Sequence, residues 1–566
     1  MVKKVTIDPK RVTWALEDMD KLKRYICLGS ETPTARVAED HEKDHCENVI
    51  QMVKTGSQGP QVVELLKEYS VKGYVACQKP LIRCLAICVN IGDGETKKAA
   101  LKAMPEICRI PTDLFLFVQY CVQGLGQPKV KNENGSWGRA MRTAVSQWYL
   151  TKEPKNLAYL MTKYRKRYGW SHVNLFNLTH PKPTNEAMAA IFTYEMKGLE
   201  AMTSKLKDKN LSDDVKDLVA YLKAVHEVKH STDIHLITTY IEEHSLVWEH
   251  VPSNTLKLKE VWQALLPKMP TTAMLRNLFR LAALGLLQPG STGSTVVIER
   301  LRNESKLREA RIHPFNLLVT RKAYNKGKTS GKPARPFTGK GKGKPKEKQG
   351  KEWTPNSDIV KALDEAFYTS FKCLKPTKKS YLMAVDVSQT MHRGRVNGTK
   401  ELCAIEAAAA MAMVIARSEE KYEFVAFAKN HPDGLSPVEL RSDSTWEDLM
   451  LNLKVQEGKT DCALPMLWAK KHQKPYDVFM VFTDSETLPT DVQPKDALAE
   501  YRAAVKGGEE ARLVVCAMNS QGFTIADPND ARMLDVVGFA PDTPEKIHQF
   551  VLDFNPDFQP AMQEDP

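Results

Sequence analysis

The chain has 566 residues, of which 42% are hydrophobic and 27% charged, and its formal net charge is +12. This composition is typical of a folded globular protein, and the length is enough for several domains, which excludes wholesale disorder and a small disulfide-stapled scaffold. The longest apolar run, Leu402 to Ala416, contains Glu406 and is too short to span a bilayer, so we expect no membrane partner.

The cysteines and the N-terminal residues bear on the cellular compartment. The first nine residues have no apolar core, so we expect no signal peptide. Most of the eleven cysteines, such as Cys84 and Cys88, lie in apolar helical surroundings. We interpret them as reduced thiols, which predicts a cytoplasmic or nuclear protein.

Residues 1–324 are predicted to be helical almost throughout. Apolar residues recur at spacings of three and four in segments such as VVELLKEYS, PLIRCLAICVNIG and DDVKDLVAYLKAVHEV. Pro and Gly separate these segments at irregular distances near the length of a helix pair. We interpret the region as a mainly α fold, an α-solenoid of paired helices with imperfect repeats. Residues 1–320 carry a net charge of +12, which fits either a polyanion partner or an ordinary mixed surface.

Two short segments of the front half contain residue types that bind ligands. Lys163 to Tyr168, KYRKRY, is predicted to be a cationic helix end with interleaved aromatic residues, which suits RNA phosphates and unpaired bases. The alternative is a solvated helix face. His41 and His45 have the spacing of zinc ligands on one helix face, but no second pair stands nearby, so we predict an acidic solvated helix there.

Residues 325–351, NKGKTSGKPARPFTGKGKGKPKEKQGK, are predicted to be a flexible basic insertion. Residues 321–351 carry a net charge of +11, and almost none of the residues 325–351 could enter a core. The insertion is either a solubilising linker, a nonspecific phosphate-binding arm or a nuclear localisation patch. Residues 352–377 are expected to pack on the front domain.

Residues 378–566 change to alternating strands and helices and carry a net charge of −10. SYLMAVDVS, YEFVAFA, DVFMVFTDS and RLVVCAMNS are short apolar runs rich in strand formers, and helical segments such as TKELCAIEAAAAMAMVIARSEE lie between them. This alternation predicts an α/β domain with a doubly wound parallel sheet. Ligands of such sheets bind at the carboxyl ends of the strands.

Oxygen-bearing side chains occur in three clusters at those strand ends. The predicted site consists of Asp386, Ser388, Thr390, Thr460 and Asp484. Two carboxylates and three hydroxyls form a hard-oxygen site that suits Mg²⁺, with Mn²⁺ as the alternative. The competing interpretation is that these residues cap the helices that follow the strands.

The order Asp-x-Ser-x-Thr, then Thr, then Asp resembles the metal-ion-dependent adhesion site of the von Willebrand factor A domain. That family's motif has Ser at the third position, where this chain has Thr390, which retains the hydroxyl. Four front-half segments are similar to the TROVE module: KRYICLGSE, GSWGRAMRTAVSQWY, TKYRKRYGWSHVNLFNLTHPKP and AMLRNL.

A TROVE module followed by an A-type domain is the layout of the Ro 60 kDa autoantigen family, which the chain resembles over nearly its whole length. The insertion 325–351 and the segment Glu39 to Asn48 depart from the family pattern. The resemblance implies a protein that is not an enzyme, and we expect the chain to be a monomer. It implies a ring of HEAT-like repeats that binds small noncoding Y RNAs on a basic outer face, closed by the A-type domain. The hole would receive single-stranded 3′ ends of misfolded RNAs, a quality-control role.

Matching segments place RNA contacts at Lys163, Arg167 and His180, and we add Arg139, Arg142 and Arg165 from the same segments. His180 precedes Pro181, so its ring is expected to project from a chain turn. The resemblance favours RNA binding here over an ordinary charged surface.

A different class of function stays open, in which the A-type domain is a metal-dependent adhesion or assembly scaffold that holds a protein partner's carboxylate. An enzyme is not predicted, because the sequence has no GxSxG, HExxH or P-loop motif.

Overall fold

The computed structural model describes two compact units. One contains Met1–Leu218 and Lys375–Pro566, and the other contains Val219–Leu374. The described residues are 3–8, 11–36, 46–55, 58–123, 137–207, 209–328, 351–428, 431–456, 460–484, 492–519 and 525–554, with side chains from Trp14 onward.

The front part of the first unit is mainly helical. Helix α3 packs on α5, α5 on α7, and α7 on α9, so alternate helices stack along the chain. The elements are β1 (Lys3–Asp8), β2 (Arg11–Ala15), α1 (Asp18–Leu28), β3 (Thr34–Arg36), α2 (Glu47–Lys54), α3 (Gly59–Val71), α4 (Gln78–Ile91), α5 (Gly94–Ile107), α6 (Pro111–Gln123), α7 (Arg139–Leu150), α8 (Pro154–Lys163), β4 (Lys166–Arg167), β5 (Trp170–Ser171), α9 (His172–Thr179), α10 (Glu186–Lys197) and α11 (Leu199–Leu206).

The second unit is helical, and the division between the units falls inside α12. Its last helix, α19, packs on α16, α17 and α18. The helices are α12 (Asp213–His230), α13 (Ile234–Glu243), α14 (Lys259–Leu265), α15 (Thr271–Ala283), α16 (Thr292–Arg302), α17 (Glu304–Glu309), α18 (Pro314–Asn325) and α19 (Ser357–Ser370). Residues 329–350, most of the predicted basic insertion, lie outside the described residues.

The rear part of the first unit alternates strands and helices. These are β6 (Ser380–Val385), α20 (Gln389–Arg393), β7 (Arg395–Val396), β8 (Thr399–Cys403), α21 (Ala404–Ser418), β9 (Lys421–Phe427), β10 (Leu435–Pro437), α22 (Trp446–Asn452), α23 (Leu464–Lys471), β11 (Val478–Thr483), α24 (Pro494–Ala504), β12 (Arg512–Ala517), β13 (Met533–Val537) and α25 (Thr543–Val551).

Seven strands form one mixed sheet with the order β10-β9-β6-β11-β12-β13-β3. Neighbouring strands pair in parallel, except that β10 is antiparallel to β9. Strands β11 and β12 are buried along their whole length and β6 from Tyr381 onward, with Leu382, Phe479 and Val515 in one hydrophobic core. Such continuous burial is typical of a sheet with both faces covered. The predicted fold class, a helical front followed by an α/β domain, is confirmed.

Two sequence predictions about secondary structure need correction in the A-type domain. The segment TKELCAIEAAAAMAMVIARSEE is not one helix, because Thr399–Cys403 forms β8. The helix begins at Ala404, where the Glu406 side chain accepts a hydrogen bond from the Cys403 backbone N–H at 3.2 Å and so fixes the helix start. Strand β13 was not predicted.

A strand from the front of the chain completes the sheet. Residues Thr34–Arg36 of β3 pair in parallel with β13, and the Asp535 N–H donates to the Pro33 carbonyl at 2.7 Å. Helix α1 lies beside this strand, and the Arg24 guanidinium donates to the carbonyls of Asp530 and Ala531. The edge of the sheet is therefore covered by residues that lie some 500 positions away in the sequence.

Four buried arginines surround this junction, and we name Arg24, Arg502, Arg512 and Arg532 the arginine cluster. Asp530 is the buried carboxylate among them, and its Oδ2 lies 2.5 Å from Nη1 of Arg502. Burial lowers the pKa of Arg24 to about 10, partly offset by Asp530, so the guanidinium stays charged at neutral pH.

The described part of the chain has neither a membrane-spanning helix nor a disulfide bond. No helix there is both long enough and apolar enough to cross a bilayer. All eleven cysteines are free thiols.

Candidate nucleic-acid interface and metal centre

The residues predicted to contact RNA lie on four consecutive elements of the first unit, α7, α8, the β4–β5 hairpin and α9. Arg139 and Arg142 are exposed on α7, and Arg165 and Arg167 are exposed in and before the hairpin. No carboxylate among the described residues forms an ion pair with any of these four arginines. Their charges are therefore available to an outside anion.

The cationic segment is not a helix end, which corrects the sequence prediction. Helix α8 ends at Lys163, and the chain then forms a hairpin in which Arg167 pairs with Trp170. The two turn residues, Tyr168 and Gly169, have φ of 51° and 80°, as a type I′ turn requires. Gly adopts this conformation without strain, and its presence after Tyr168 favours the tight turn over continued helix.

Lys163 is held in place by two aromatic rings. Its Nζ donates to the Tyr159 hydroxyl at 2.9 Å and lies 5.1 Å from the ring centroids of Tyr159 and Tyr164. Cation–π contacts of this kind fix a flexible ammonium without neutralising it. The Lys163 ammonium group is thereby positioned beside Tyr164, the first residue after α8.

His180 ends α9 in the left-handed conformation, with φ of 47° and an exposed side chain. Its backbone N–H donates to the Phe176 carbonyl at 2.8 Å and closes the helix. Pro181 follows and prevents the helix from continuing. The ring projects from the chain turn that the sequence predicted.

A surface cavity of about 490 Å³ lies between α7 and the end of α9. The Trp137 ring at one side of it is 6.1 Å from the Trp170 ring of the hairpin, measured between centroids. The cavity therefore connects the hairpin with the turn that carries His180. Its lining consists of Trp137, Arg139, Arg142, Thr143, Ser146 and Thr179.

A buried histidine positions the hairpin. The His172 Nε2 is 3.1 Å from the Tyr164 carbonyl, and Nδ1 is 2.9 Å from the Tyr149 hydroxyl. Because a carbonyl only accepts, Nε2 carries the proton and Nδ1 accepts from the tyrosine. Burial lowers the pKa of His172 to about 3, with a smaller lowering from Arg165 and an opposing effect of the Tyr164 carbonyl. The ring is neutral and joins Tyr149 of α7 to Tyr164, the first residue after α8.

The neutral His172 predicts a pH-dependent stability. Between pH 6.5, its ordinary pKa, and about pH 3, the unfolded state binds a proton at this residue and the folded state does not. The free energy of unfolding should therefore fall with decreasing pH in this window, by about 1.4 kcal/mol per pH unit from this group. Urea unfolding of the parent and of His172→Gln measures it, because their difference in stability should shrink as the pH falls. A difference that is independent of pH would contradict a neutral buried His172.

The candidate metal site lies at the point where the chain reverses the direction in which it adds strands to the sheet. The chain runs from β6 outward to β9 and β10, and then returns to β11 on the other side of β6, so β6 and β11 flank the switch point. Asp386 follows β6 and Asp484 follows β11, within one residue of the same register. Parallel α/β sheets bind ligands at this position.

Four of the five predicted metal-site residues form one hydrogen-bonded group. The carboxylate of Asp386 accepts from the Ser388 backbone N–H at 2.8 Å and from the Thr460 hydroxyl at 2.7 Å. The hydroxyls of Ser388 and Thr390 are 2.8 Å apart. Asp484 lies on the neighbouring strand end.

The arrangement fits a hard divalent cation better than helix capping. Ser388 stands at the N-cap position of α20, but its side chain makes no capping bond there, and Thr460 bonds to Asp386 instead of to a helix. Asp386 is only 7% exposed, Asp484 only 8%, and no Lys or Arg in the described ranges pairs with Asp386. A buried carboxylate without a cationic partner favours a bound metal ion.

A conventional metal cluster is absent from the described residues. They contain no group of three or more His, Cys, Asp or Glu side chains that could hold a metal. The hydroxyl-rich group at β6 and β11 differs in type, because only two of its five donors are carboxylates. His41 and His45, the alternative zinc pair, lie outside the described residues.

Comparison with known proteins identifies the family. The model of the TROVE domain matches residues 8–379, about two thirds of the chain, and the model of the Ro60 vWA domain matches residues 380–551. The chain belongs to the TROVE family, in its Ro60 form. The predicted resemblance is confirmed.

Two curated relatives in the Ro60 family match nearly the whole chain, and both are named RNA-binding protein RO60. The protein of Caenorhabditis elegans is 31% identical over 95% of this chain and 88% of its own length. The protein of Deinococcus radiodurans is 30% identical over 95% of this chain and 93% of its own. The crystal structure of the Deinococcus radiodurans Ro (RSR) protein matches with a TM-score of 0.81 and 28% identity, covering 94% and 99% of the two chains.

Sequence reasoning did not single out several residues of this candidate interface. Trp137, Trp170 and His172 carry no charge and follow no ligand motif, so a search for cations did not find them. Trp137 and Trp170 lie within two of the segments that resemble the TROVE module, and that resemblance was the available signal. The hairpin itself was signalled by Tyr168-Gly169, a turn pair between two short polar runs.

Proposed function

We propose that this chain is an RNA-binding component of a ribonucleoprotein, and that it binds RNA through α7, α8, the hairpin and α9. The observation that carries the proposal is a set of exposed cations that have no carboxylate partner among the described residues. Arg139 and Arg142 line the cavity, and Arg165 and Arg167 lie before and in the neighbouring hairpin. Membership in a family whose curated members are named RNA-binding proteins supports it.

The chemistry of the surface suits a folded RNA. Exposed guanidinium groups bind phosphates and release counterions, which makes the affinity salt-dependent. Aromatic rings, here Trp137, Tyr168 and Trp170, supply planes for unpaired bases. Tyr168 stands exposed at the hairpin tip among cations. A mixture of cations and rings favours an RNA that has both a paired stem and unpaired nucleotides.

The finer proposal is that the RNAs are small noncoding RNAs of the Y type, together with misfolded noncoding RNAs in a quality-control role, and that the chain is not an enzyme. Its free thiols support a reducing compartment, the cytoplasm or nucleus. The test is binding of structured RNA by the full chain over a salt series. Steep loss of affinity with salt supports the proposal, and binding that does not depend on salt rejects it.

We also propose that Asp386, Ser388, Thr390, Thr460 and Asp484 hold Mg²⁺ or Mn²⁺. The ion would present an open position to an acidic group of a protein partner. One observation favours such a partner: Val455 is 53% exposed, and the neighbouring Gln456 N–H donates to the Val387 carbonyl beside the site. An exposed apolar side chain beside a cation site suits a protein partner.

Removing one carboxylate tests the metal site. Mg²⁺ should raise the melting temperature of the full chain, because a ligand at a hundred times its Kd stabilises a fold by about 2.7 kcal/mol. Asp484→Ala should lose this shift, whereas Asp443→Ala should keep it, because Asp443 is exposed and paired with Arg441. Calorimetry that finds equal metal affinity for Asp484→Ala and the parent would reject the site. RNA binding should survive Asp484→Ala.

A further inference from the structure

The cavity between α7 and the end of α9 combines three chemical groups. Trp137 supplies an aromatic wall, and Arg139 and Arg142 supply two cations. Thr143 and Ser146 add hydroxyl groups. None of the described residues that line the cavity is an Asp or Glu. An aromatic plane, cations and hydroxyls are the groups that recognise the base, the phosphate and the sugar of a nucleotide.

The lining is partly fixed in advance. The Ser146 hydroxyl donates to the Thr179 carbonyl at 3.4 Å and joins α7 to the end of α9. The Thr179 hydroxyl donates to the Leu175 carbonyl at 2.8 Å, whereas the Thr143 hydroxyl, exposed on α7, forms no hydrogen bond with any residue that the structure describes. The Trp137 ring packs on Trp170, whose backbone pairs with Arg167. A ligand therefore meets a largely formed site.

We propose that this cavity is a pocket for one unpaired nucleotide of a bound RNA, with its base against Trp137 and its phosphate on Arg139 and Arg142. The inference rests on the proposed RNA function and extends it. Phosphate contacts along α7 to α9 would bind any RNA with similar affinity, whereas a pocket would select RNAs that present an extruded base. Proximity of the pocket to the hairpin and to His180 favours a nucleotide of a long RNA over a free nucleotide.

The experiment compares two short RNA hairpins, one with a single unpaired 2-aminopurine in its stem and one with that nucleotide deleted. The full chain should bind the first RNA about tenfold more tightly and quench its fluorescence. Trp137→Ala and Arg142→Gln should each reduce this preference to within about twofold, and Trp137→Phe should keep it. Lys102→Gln, at an exposed cation of α5 outside the cavity, should keep it too.

Each of the following outcomes would contradict the proposed nucleotide pocket. Equal affinity of the parent for the two RNAs rejects it and leaves the proposed function standing, while no binding of either RNA rejects both. If Trp137→Ala and Arg142→Gln lose affinity equally for both RNAs, at unchanged melting temperature, then these residues contact RNA without selecting an unpaired nucleotide. Adenosine 5′-monophosphate is the second probe: displacement of the bulged RNA at micromolar concentration would assign the pocket to a free nucleotide.

Discussion

Replacing Asp530 by Ala is expected to lower the free energy of unfolding of the full chain by about 3–5 kcal/mol, because it removes the buried carboxylate that pairs with the buried Arg502. The Arg502 side chain is fully buried and forms its ion pair with Asp530, and Asp530 also offsets the lowered pKa of Arg24. The loss of stability should appear as a lower midpoint of urea unfolding, with an unchanged slope of the free energy of unfolding against urea concentration.

The matched control for Asp530→Ala is Glu510→Ala. Glu510 pairs with Arg532 of the same arginine cluster, but its side chain is 61% exposed. Exposed pairs contribute about 0–1 kcal/mol, so this variant should unfold near the parent midpoint. Equal midpoints for the two variants would mean that the cluster does not depend on its buried carboxylate.

The double variant Lys163→Ala and Arg167→Ala should weaken RNA binding at least tenfold and flatten the slope of log K against log[salt] by up to about two units, one for each lost phosphate contact. Arg167 is exposed on the hairpin, and Lys163 is positioned by Tyr159. The slope separates lost phosphate contacts from a distorted site, which would lower affinity without changing the salt dependence.

A charge-matched control for this double variant is Lys97→Ala with Lys102→Ala. Both lysines are exposed on α5 and form no ion pair in the part of the chain that the structure describes. The control removes the same net charge from the same unit, so its slope should stay within about half a unit of the parent. Similar losses in both double variants would mean diffuse electrostatics rather than a site at the hairpin.

The oxygen group at the switch point was predictable from the sequence because its signal is local. Apolar runs fixed the ends of β6 and β11, and in a parallel sheet those ends meet at one edge. Asp386 and Asp484 therefore lie near one another, whatever conformation the neighbouring loops adopt. The hydrogen bond between the Thr460 hydroxyl and Asp386 brings the third predicted cluster to this group.

Other features depend on contacts between distant segments and could not be predicted. Strand β3 has three residues and no alternation, and its partner β13 begins 497 positions after the last residue of β3. The hairpin at residues 166–171 is instead a local feature: the helix propensity of Lys and Arg favoured a helix end there, although the turn pair Tyr168-Gly169 signals the hairpin. The arginine cluster is scattered over α1, α24, β12 and the start of β13, so no window of sequence contains it.

Crosslinking of the full chain to the RNA that co-purifies with it tests the central claim most directly, because it reports the RNA and the contacted residues together. The predicted result is a set of small noncoding RNAs crosslinked to peptides from residues 137–180, with Trp137, Tyr168 and His180 among the modified side chains. Crosslinks confined to residues 380–551, or the absence of co-purified RNA, would contradict the account.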